Sequence, residues 1–311
     1  MRIAVVGATG LVGRLMVDQL ASEVDALELY ASRGGRTIES GGRSFEVLDV
    51  ECFEPDAETV VLSSTPDDVA ARLVPVWLDR GACVIDESAS FRRNAEACLA
   101  VAGIQRDAAI ARARLIACPN CTTTQVALAL APLHRTFGVR EVVASSYQAA
   151  SGAGRDGLAA LEDADDETVF GRPLAGDLVP WIGRDLGGRT SEEDKLAWEL
   201  PHLLEAAFPV HATCVRVPVA VGHAVSLWVR FDDAPDRALE VLRAGEGLRL
   251  VDGAPGPRAV VGTDDVLVAR VRPAGPRALA LWCLGDNLRV GAASNAIRLA
   301  RIVRDARGAQ W

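Results

Sequence analysis

The chain has 311 residues, half of them hydrophobic and 24% charged, and carries a formal net charge of -9; it can bury a substantial core as roughly two domains. An acidic chain without a basic run lacks the electrostatic footprint for nucleic acid or an anionic membrane, although a local basic pocket for a small anion stays open. No run approaches the ~18 consecutive apolar residues of a membrane helix, and no leader segment is expected before the first strand. The cysteines are seven and scattered, unlike a disulfide framework, so a reducing cytoplasm is the expected setting.

In chain order, Met1 to Val6 reads as a short buried strand, followed by Gly7-Ala8-Thr9-Gly10-Leu11-Val12-Gly13 and an amphipathic run to about Leu20. Strand, glycine turn and helix in that order are the context of a dinucleotide-binding fingerprint. Gly7 permits the tight turn, Gly10 a close approach to a pyrophosphate, and Gly13 helix–strand packing. The helix N-terminus, with Thr9, Leu11 and Val12, supplies N–H donors to the phosphate. A glycine turn without a ligand has the same local pattern.

The strand Ala26 to Ala31 ends in Ser32-Arg33-Gly34-Gly35-Arg36, where an NAD site usually has Asp or Glu. A serine and arginines suit a 2′-phosphate, so NADP is the expected cofactor. Ordinary loop charges are the alternative for Arg33 and Arg36. Strand-like runs at 59–63 and 82–85 flank a helix-like 66–80, which implies a parallel, doubly wound sheet. Ser63 and Thr65 fall at a strand's C-terminal end, where such sheets bind ligands.

The segment Ile116 to Thr124 places Cys121 where an apolar run passes into a helix with Val126, Leu130, Leu133 and Phe137 on one face and Gly138 as its stop. A thiol at a helix N-terminus is biased toward thiolate, the nucleophilic form. A buried cysteine that merely starts a helix is the plain alternative. Cys118 and Cys121 form a single C-x-x-C without nearby histidines, so no metal is expected.

Beyond residue 138 longer alternating strands begin: 142–149, 213–219, 224–231, 266–271 and 278–284, which suggest a mixed or antiparallel sheet. In the second of these Val215, Val217 and Val219 are expected on one face and Arg216 on the other. The acidic stretch 162–167 reads as solvated surface. His134, His202 and His211 lack a chemical context and read as structural or surface residues.

Taken together, these segments resemble the aspartate-β-semialdehyde dehydrogenase family. The likeness runs through Ser90-Phe91-Arg92, Pro119-Asn120-Cys121-Thr122-Thr123, Tyr147-Gln148 with Ser151-Gly152-Ala153-Gly154, and Glu192 with Lys195. It continues through Cys214-Val215-Arg216-Val217-Pro218-Val219 with His223, and Asp286-Asn287-Leu288-Arg289 through Asn295. The resemblance implies an α/β fold like that of glyceraldehyde-3-phosphate dehydrogenase: a doubly wound Rossmann sheet, then an α+β domain with a mixed or antiparallel sheet. The expected parts are an NADP-binding domain over 1–122, a catalytic and dimerisation domain over 123–285, and a closing helix over 286–311 that returns to the first domain.

It further implies a cytoplasmic homodimer in the route to lysine, threonine and methionine, working on a small acyl phosphate or aldehyde and phosphate. The reaction is the NADP-dependent reductive dephosphorylation of 4-phospho-L-aspartate. Cys121 is the implied nucleophile, His223 the acid/base and Gln148 the orienting group. Arg216 would take the substrate carboxylate, Glu192 its ammonium, and Arg92, Asn120 and Lys195 the phosphate. Ser151, Gly152 and Asn287 would line the cofactor. The residue types suit acyl transfer independently, because it needs a soft nucleophile, a proton shuttle and donors where negative charge develops. Where members usually carry a Val-Pro-x-Val-x-Pro-Glu-Val-Asn-like stretch, this chain has 98–105 of different sequence, and Cys118 stands where asparagine is commoner. A paralogous acylating dehydrogenase for another acyl phosphate or thioester, or a non-catalytic nucleotide-binding regulator, are the alternatives.

Overall fold

The structure, a computed structural model, describes residues 1–163 and 165–308. Its chain divides into two compact units, one of Met1–Pro119 with the segment from Ala292 onward, the other of Asn120–Gly291.

The first unit contains β1 (Arg2–Val6), α1 (Leu11–Leu20), β2 (Leu27–Ala31), β3 (Arg36–Ser40), β4 (Arg43–Asp49), β5 (Thr59–Ser63), α2 (Asp67–Asp79), β6 (Cys83–Asp86), β7 (Cys98–Leu99), α3 (Asp107–Arg112) and β8 (Leu115–Ala117). They form one eight-stranded sheet in the order β3-β4-β2-β1-β5-β6-β8-β7. Every pairing is parallel except the β3–β4 hairpin. β1 and β5 are buried along their apolar runs, as both-face coverage of a parallel sheet requires. From the sequence alone no element is assigned to 36–49, where the hairpin falls. Its strands are mostly polar and half-exposed, so no hydrophobic alternation marks them; the Gly41-Gly42 turn, with φ of 57° and 73°, is the one local signal.

The second unit contains α4 (Cys121–Phe137), β9 (Val139–Gln148), α5 (Gly154–Glu162), α6 (Ser191–Leu203), β10 (Val210–Arg216), β11 (His223–Phe231), α7 (Ala238–Arg243), β12 (Leu248–Leu250), β13 (Val266–Pro273) and β14 (Ala278–Gly285). Its six-stranded mixed sheet has the order β10-β9-β11-β14-β13-β12. β10 runs parallel to β9 and β12 to β13; the remaining pairs are antiparallel. Alternation along β9 buries Val142, Ala144 and Ser146, and α4 packs on this sheet. The opposite face carries Val143, Tyr147, Trp228 and Trp282.

Two expectations need correction. β10 stops at Arg216, so Val217 and Val219 do not continue one strand face with Val215. Pro218 has no N–H to continue a ladder, and Val219 instead donates back to the Val217 carbonyl in a tight turn. The closing helix, α8 (Ser294–Ala306), begins later than Asp286, after a π-helical turn over Arg289–Ala293. Asp286 holds that turn, its carboxylate accepting from the N–H groups of Leu288, Arg289 and Gly262. α8 buries Ile297, Leu299, Ala300 and Val303 in the core of the first unit. Residues 309–311 of the expected closing segment lie outside the described residues.

Candidate active site

Asn120 and Cys121 open α4, and the local hydrogen bonds explain why the helix starts there. The Asn120 side-chain oxygen accepts from the N–H groups of Thr122 (2.9 Å) and Thr123 (3.3 Å), an N-cap that leaves Cys121 as the first helical residue. α6 then grips Asn120 twice. Its side-chain amide donates to Glu192 Oε1 (2.8 Å), and its backbone N–H donates to Glu199 Oε2 (2.8 Å). Glu199 is only 1% exposed. Glu192 is buried as well and pairs through Oε2 with the half-buried Lys195 at 3.1 Å. Burial pushes the Glu192 carboxyl up, but Lys195, the Asn120 amide and Arg216 outweigh it and leave it below the usual carboxylate range. The carboxylate is therefore an interior charge, while Lys195 keeps a third of its side chain exposed.

The other groups converge through β9. Gln148 ends β9 and lies in register with Arg216 at the end of β10, while His223 begins β11 on the opposite side of β9. His223 Nε2 is 3.4 Å from Cys121 Sγ. Between Arg216 and His223 stands the Ala149 peptide. Its carbonyl accepts from Arg216 Nη1 (2.6 Å) and its N–H donates to His223 Nδ1 (3.0 Å). Arg216, 5% exposed, also lies over the Phe170 ring at 5.7 Å, and its Nε is buried without a protein partner. An unpaired donor of a buried guanidinium is what a planar carboxylate ligand could satisfy. Burial, and then the Arg216 charge, push the His223 imidazole down to about 3, against the pull of Glu192. Gln148 is buried, and its amide donates to Ser146 Oγ at 3.2 Å.

Close packing explains two glycines. A Cβ on Gly152 would lie 2.5 Å from Arg216 Nη1 and 3.4 Å from the His223 ring. On Gly291 it would lie 2.8 Å from Cys121 Cβ. Asn287 closes the loop before His223: its Oδ1 accepts from the Gly222 N–H (2.9 Å) and its Nδ2 donates to Ser151 Oγ (3.0 Å).

In the first unit the glycine turn is sterically specified. Gly7 has φ +85°, and a Cβ there would meet the Ser64 carbonyl oxygen at 2.1 Å; one on Gly13 would meet the Gly7 oxygen at 2.2 Å. Gly10 is the N-cap of α1, which has neither a side-chain cap nor an acidic residue in its first turn, with Thr9 before it and Leu11 and Val12 after it. A helix N-terminus left in this way fits a dinucleotide phosphate. Ser32 and Arg33 are exposed just past β2, whereas Glu28 is held inside the strand by Arg2 (3.1 Å) and Tyr30 (2.9 Å). Ser63 and Thr65 hydroxyls lie 3.3 Å apart at the end of β5. Arg92 donates through Nε to the Cys118 carbonyl (2.9 Å) and through Nη2 to that of Glu87 (2.8 Å). Cys118 is buried; burial and the Glu87 carboxylate raise its thiol well above the usual range, so of the two C-x-x-C sulfurs it is the inert one.

The second unit thus brings together Cys121, His223, Gln148, Arg216, Asn120, Glu192 and Lys195, while the glycine turn, Ser32, Arg33, Ser63, Thr65 and Arg92 sit in the first. Sequence reasoning missed Ala149, which acts through its backbone and carries no side-chain signal. It also missed Glu199, although a position seven residues past Glu192 lies on the same helical face. His134, His202 and His211 do stand apart: His134 Nδ1 accepts from Val139 N–H, His202 stacks on Trp198, and His211 is exposed.

The chain is similar to known proteins along almost its whole length. Residues 2–112 match the family described as semialdehyde dehydrogenase, NAD binding domain, and residues 130–290 match semialdehyde dehydrogenase, dimerisation domain. The chain is 34% identical to aspartate-semialdehyde dehydrogenase 2 of Vibrio cholerae and 35% identical to aspartate-semialdehyde dehydrogenase of Corynebacterium glutamicum, each over 97% of this chain and 98% of the relative. The crystal structure of aspartate semialdehyde dehydrogenase II from Vibrio cholerae superposes with a TM-score of 0.92 at 32% identity, covering 97% of this chain and 98% of that one. At 22% identity, a Candida albicans aspartate semialdehyde dehydrogenase solved with NADP shares the fold, with a TM-score of 0.77 over 98% of this chain and 99% of that one. The chain belongs to the aspartate-semialdehyde dehydrogenase family.

Proposed function

We propose that this protein is an NADP-dependent aspartate-semialdehyde dehydrogenase that converts 4-phospho-L-aspartate to L-aspartate 4-semialdehyde and phosphate through a thioester on Cys121. The observation that carries the reading is the 3.4 Å approach of Cys121 Sγ to His223 Nε2 at the start of a capped helix, beside the buried, partly unpaired Arg216. Helix N-terminus and guanidinium both favour a thiolate. A planar fork is suited to the substrate α-carboxylate, and Glu192 to its ammonium. Arg92, Asn120 and Lys195 are proposed for the phosphate, His223 as the acid/base and Gln148 as the group that orients the intermediate. Support for the substrate comes also from a Vibrio cholerae relative, 31% identical, solved in complex with ASA.

The cofactor would be held by the Gly7–Gly13 turn, by Ser32 and Arg33 at its 2′-phosphate, and by Ser63, Thr65, Ser151, Gly152 and Asn287; when bound it supplies the hydride. Exposed Ser32 and Arg33, with Glu28 committed to Arg2 and Tyr30, support NADP over NAD. The apolar open face of the second sheet supports a homodimer. No helix among the described residues is long and apolar enough to cross a membrane, and we place the protein in the cytoplasm.

The test is a panel run in the oxidative direction with aspartate semialdehyde and other aldehydes, with NADP or NAD, with and without phosphate. Turnover that needs phosphate, prefers NADP and disappears in Cys121→Ala is expected. No turnover of aspartate semialdehyde beside activity on another aldehyde would identify a paralogous acylating dehydrogenase instead.

A further inference from the structure

We infer that the segment 286–291, where the π-helical turn begins, is a positioning element for the nucleophile: it seats the Gly291 backbone against Cys121 and fixes the Cα–Cβ bond that carries the sulfur. The inference rests on the reading of Cys121 as nucleophile and adds the residues that hold it in place, Gly291 and, through the turn, Arg289 and Asp264.

Strand β14 ends at Gly285 and the chain turns at once. The Asp286 carboxylate accepts from the N–H groups of Leu288 (3.0 Å) and Arg289 (3.3 Å), and its backbone carbonyl accepts from those of Arg289 and Gly291, both at 3.1 Å. The bond from Gly291 reaches back five residues, whereas an α-helical turn would close on Val290. That extra residue widens the turn and brings Gly291 to the start of α4. Two further contacts tie the turn to one loop. The other carboxylate oxygen of Asp286 accepts from the Gly262 N–H (2.8 Å), and the Arg289 guanidinium meets the Asp264 carboxylate through two bonds of 2.9 Å. A bidentate fork fixes direction as well as distance. Isolated π turns of this kind are rare and are frequent at functional sites.

Opposite this segment lies the first turn of α4. A Cβ on Gly291 would stand 2.8 Å from Cys121 Cβ and 3.2 Å from its Cα, and one on Gly285 would stand 2.6 Å from Gln125 Oε1. Cys121 and Gln125 are four residues apart and share a helical face, so the chain lies close against that face at two successive positions. Neither glycine has a left-handed backbone; space, and not conformation, calls for glycine at both. The atoms that Gly291 meets are backbone and Cβ atoms, which cannot swing aside as the end of a long side chain would. Nor can Cys121 step back cheaply, because the Asn120 N–H one peptide earlier is bonded to the buried Glu199 carboxylate. The 3.4 Å approach of sulfur to His223 is therefore set by what packs on the Cys121 backbone as well as by the helix cap.

The test compares three variants of the full-length protein. Gly291→Ala puts a methyl group where Cys121 stands, Arg289→Gln removes the charged fork, and Arg289→Lys keeps a cation for Asp264. Gly291→Ala is expected to lower kcat about 10- to 100-fold with KM for the aldehyde and for NADP almost unchanged, since small displacements of a reacting group are costly. Arg289→Gln is expected to lower kcat less, and Arg289→Lys to recover most of that loss. The rate of Cys121 alkylation by iodoacetamide, followed on its peptide by mass spectrometry without substrate or cofactor, is an independent readout. It is expected to fall about tenfold in Gly291→Ala, as the displaced sulfur loses the helix end that favours thiolate. A folded Gly291→Ala alkylated at the wild-type rate would overturn the inference, and so would a lower melting temperature with kcat intact. If Gly291→Ala does not fold, Arg289→Gln carries the same two readouts, and wild-type values in both would overturn it. Alkylation does not use turnover, so a protein inactive toward aspartate semialdehyde would refute the proposed activity and leave the positioning role to be decided by the thiol.

Discussion

At the scale of residues, the candidate nucleophile is held by a carboxylate that touches none of the reacting atoms. Glu199 accepts the Asn120 N–H, one peptide before Cys121, from inside the molecule. Removing that acceptor leaves a buried donor unpaired, at a cost of about 1–3 kcal/mol. If the strain is taken up by the peptide that carries the sulfur, Glu199→Ala should lower kcat about 10- to 100-fold with KM almost unchanged, since ~1.4 kcal/mol corresponds to a factor of ten. Glu199→Gln keeps an acceptor and should restore most of the rate. Steady-state kinetics on both variants decides it: a lower melting temperature with kcat intact in Glu199→Ala would make the contact purely structural. Cys121, Arg216 and His223 are legible in the sequence because chemistry demands particular side chains there. The Ala149 peptide that binds two of them is not, because any residue supplies the same N–H and carbonyl.

At the scale of elements, the glycine turn after β1 divides into packing glycines and one facing outward. Gly13 has the Gly7 carbonyl oxygen where its Cβ would go, so Gly13→Ala forces the helix off the strand, with an overpacking cost of about 1–3 kcal/mol. Gly10 has ordinary φ of -74°, and the nearest atom to its Cβ position is 3.3 Å away. Gly10→Ala should therefore lower the melting temperature less than Gly13→Ala yet weaken NADPH binding about tenfold, by crowding the approach to the helix N-terminus. Thermal melts and a fluorescence titration with NADPH separate the two. Equal affinities in wild type and Gly10→Ala would reduce the fingerprint to a packing device. The sequence showed this strand–turn–helix clearly because steric need for glycine is local. It did not show the β3–β4 hairpin, whose strands are polar and whose pairing is decided by β2 alongside.

At the scale of the whole molecule, the second sheet presents one face to its own helices and leaves another with Val143, Tyr147, Trp228 and Trp282 at its centre. Val143 is 40% exposed and Tyr147 37%, and Tyr147 lies against Trp282 at 5.6 Å between ring centroids. A contiguous apolar patch of this kind is typical of an interface, and a two-fold contact would use the same patch on both copies. Placing a charge there should cost each copy its pairing without disturbing its own core. Val143→Asp is expected to sediment as a monomer at concentrations where the wild type is a dimer, with an unchanged circular dichroism spectrum. A wild type that is monomeric at all concentrations would remove the assignment.

Alternation, helical spacing and the order of glycines, cysteine, arginine and histidine along the chain were enough to determine the fold class and the chemistry to expect, since both depend on side-chain type at local spacing. Tertiary structure alone decided the rest. It ended β10 at Arg216, started the closing helix at Ser294, and tied the buried Glu192, paired with the half-buried Lys195, to the buried Asn120 amide. It also set the Ala149 N–H against His223 Nδ1, across 74 residues of sequence. Such contacts join residues far apart in the chain, and their energies depend on burial and on hydrogen-bond direction, neither of which a linear pattern encodes.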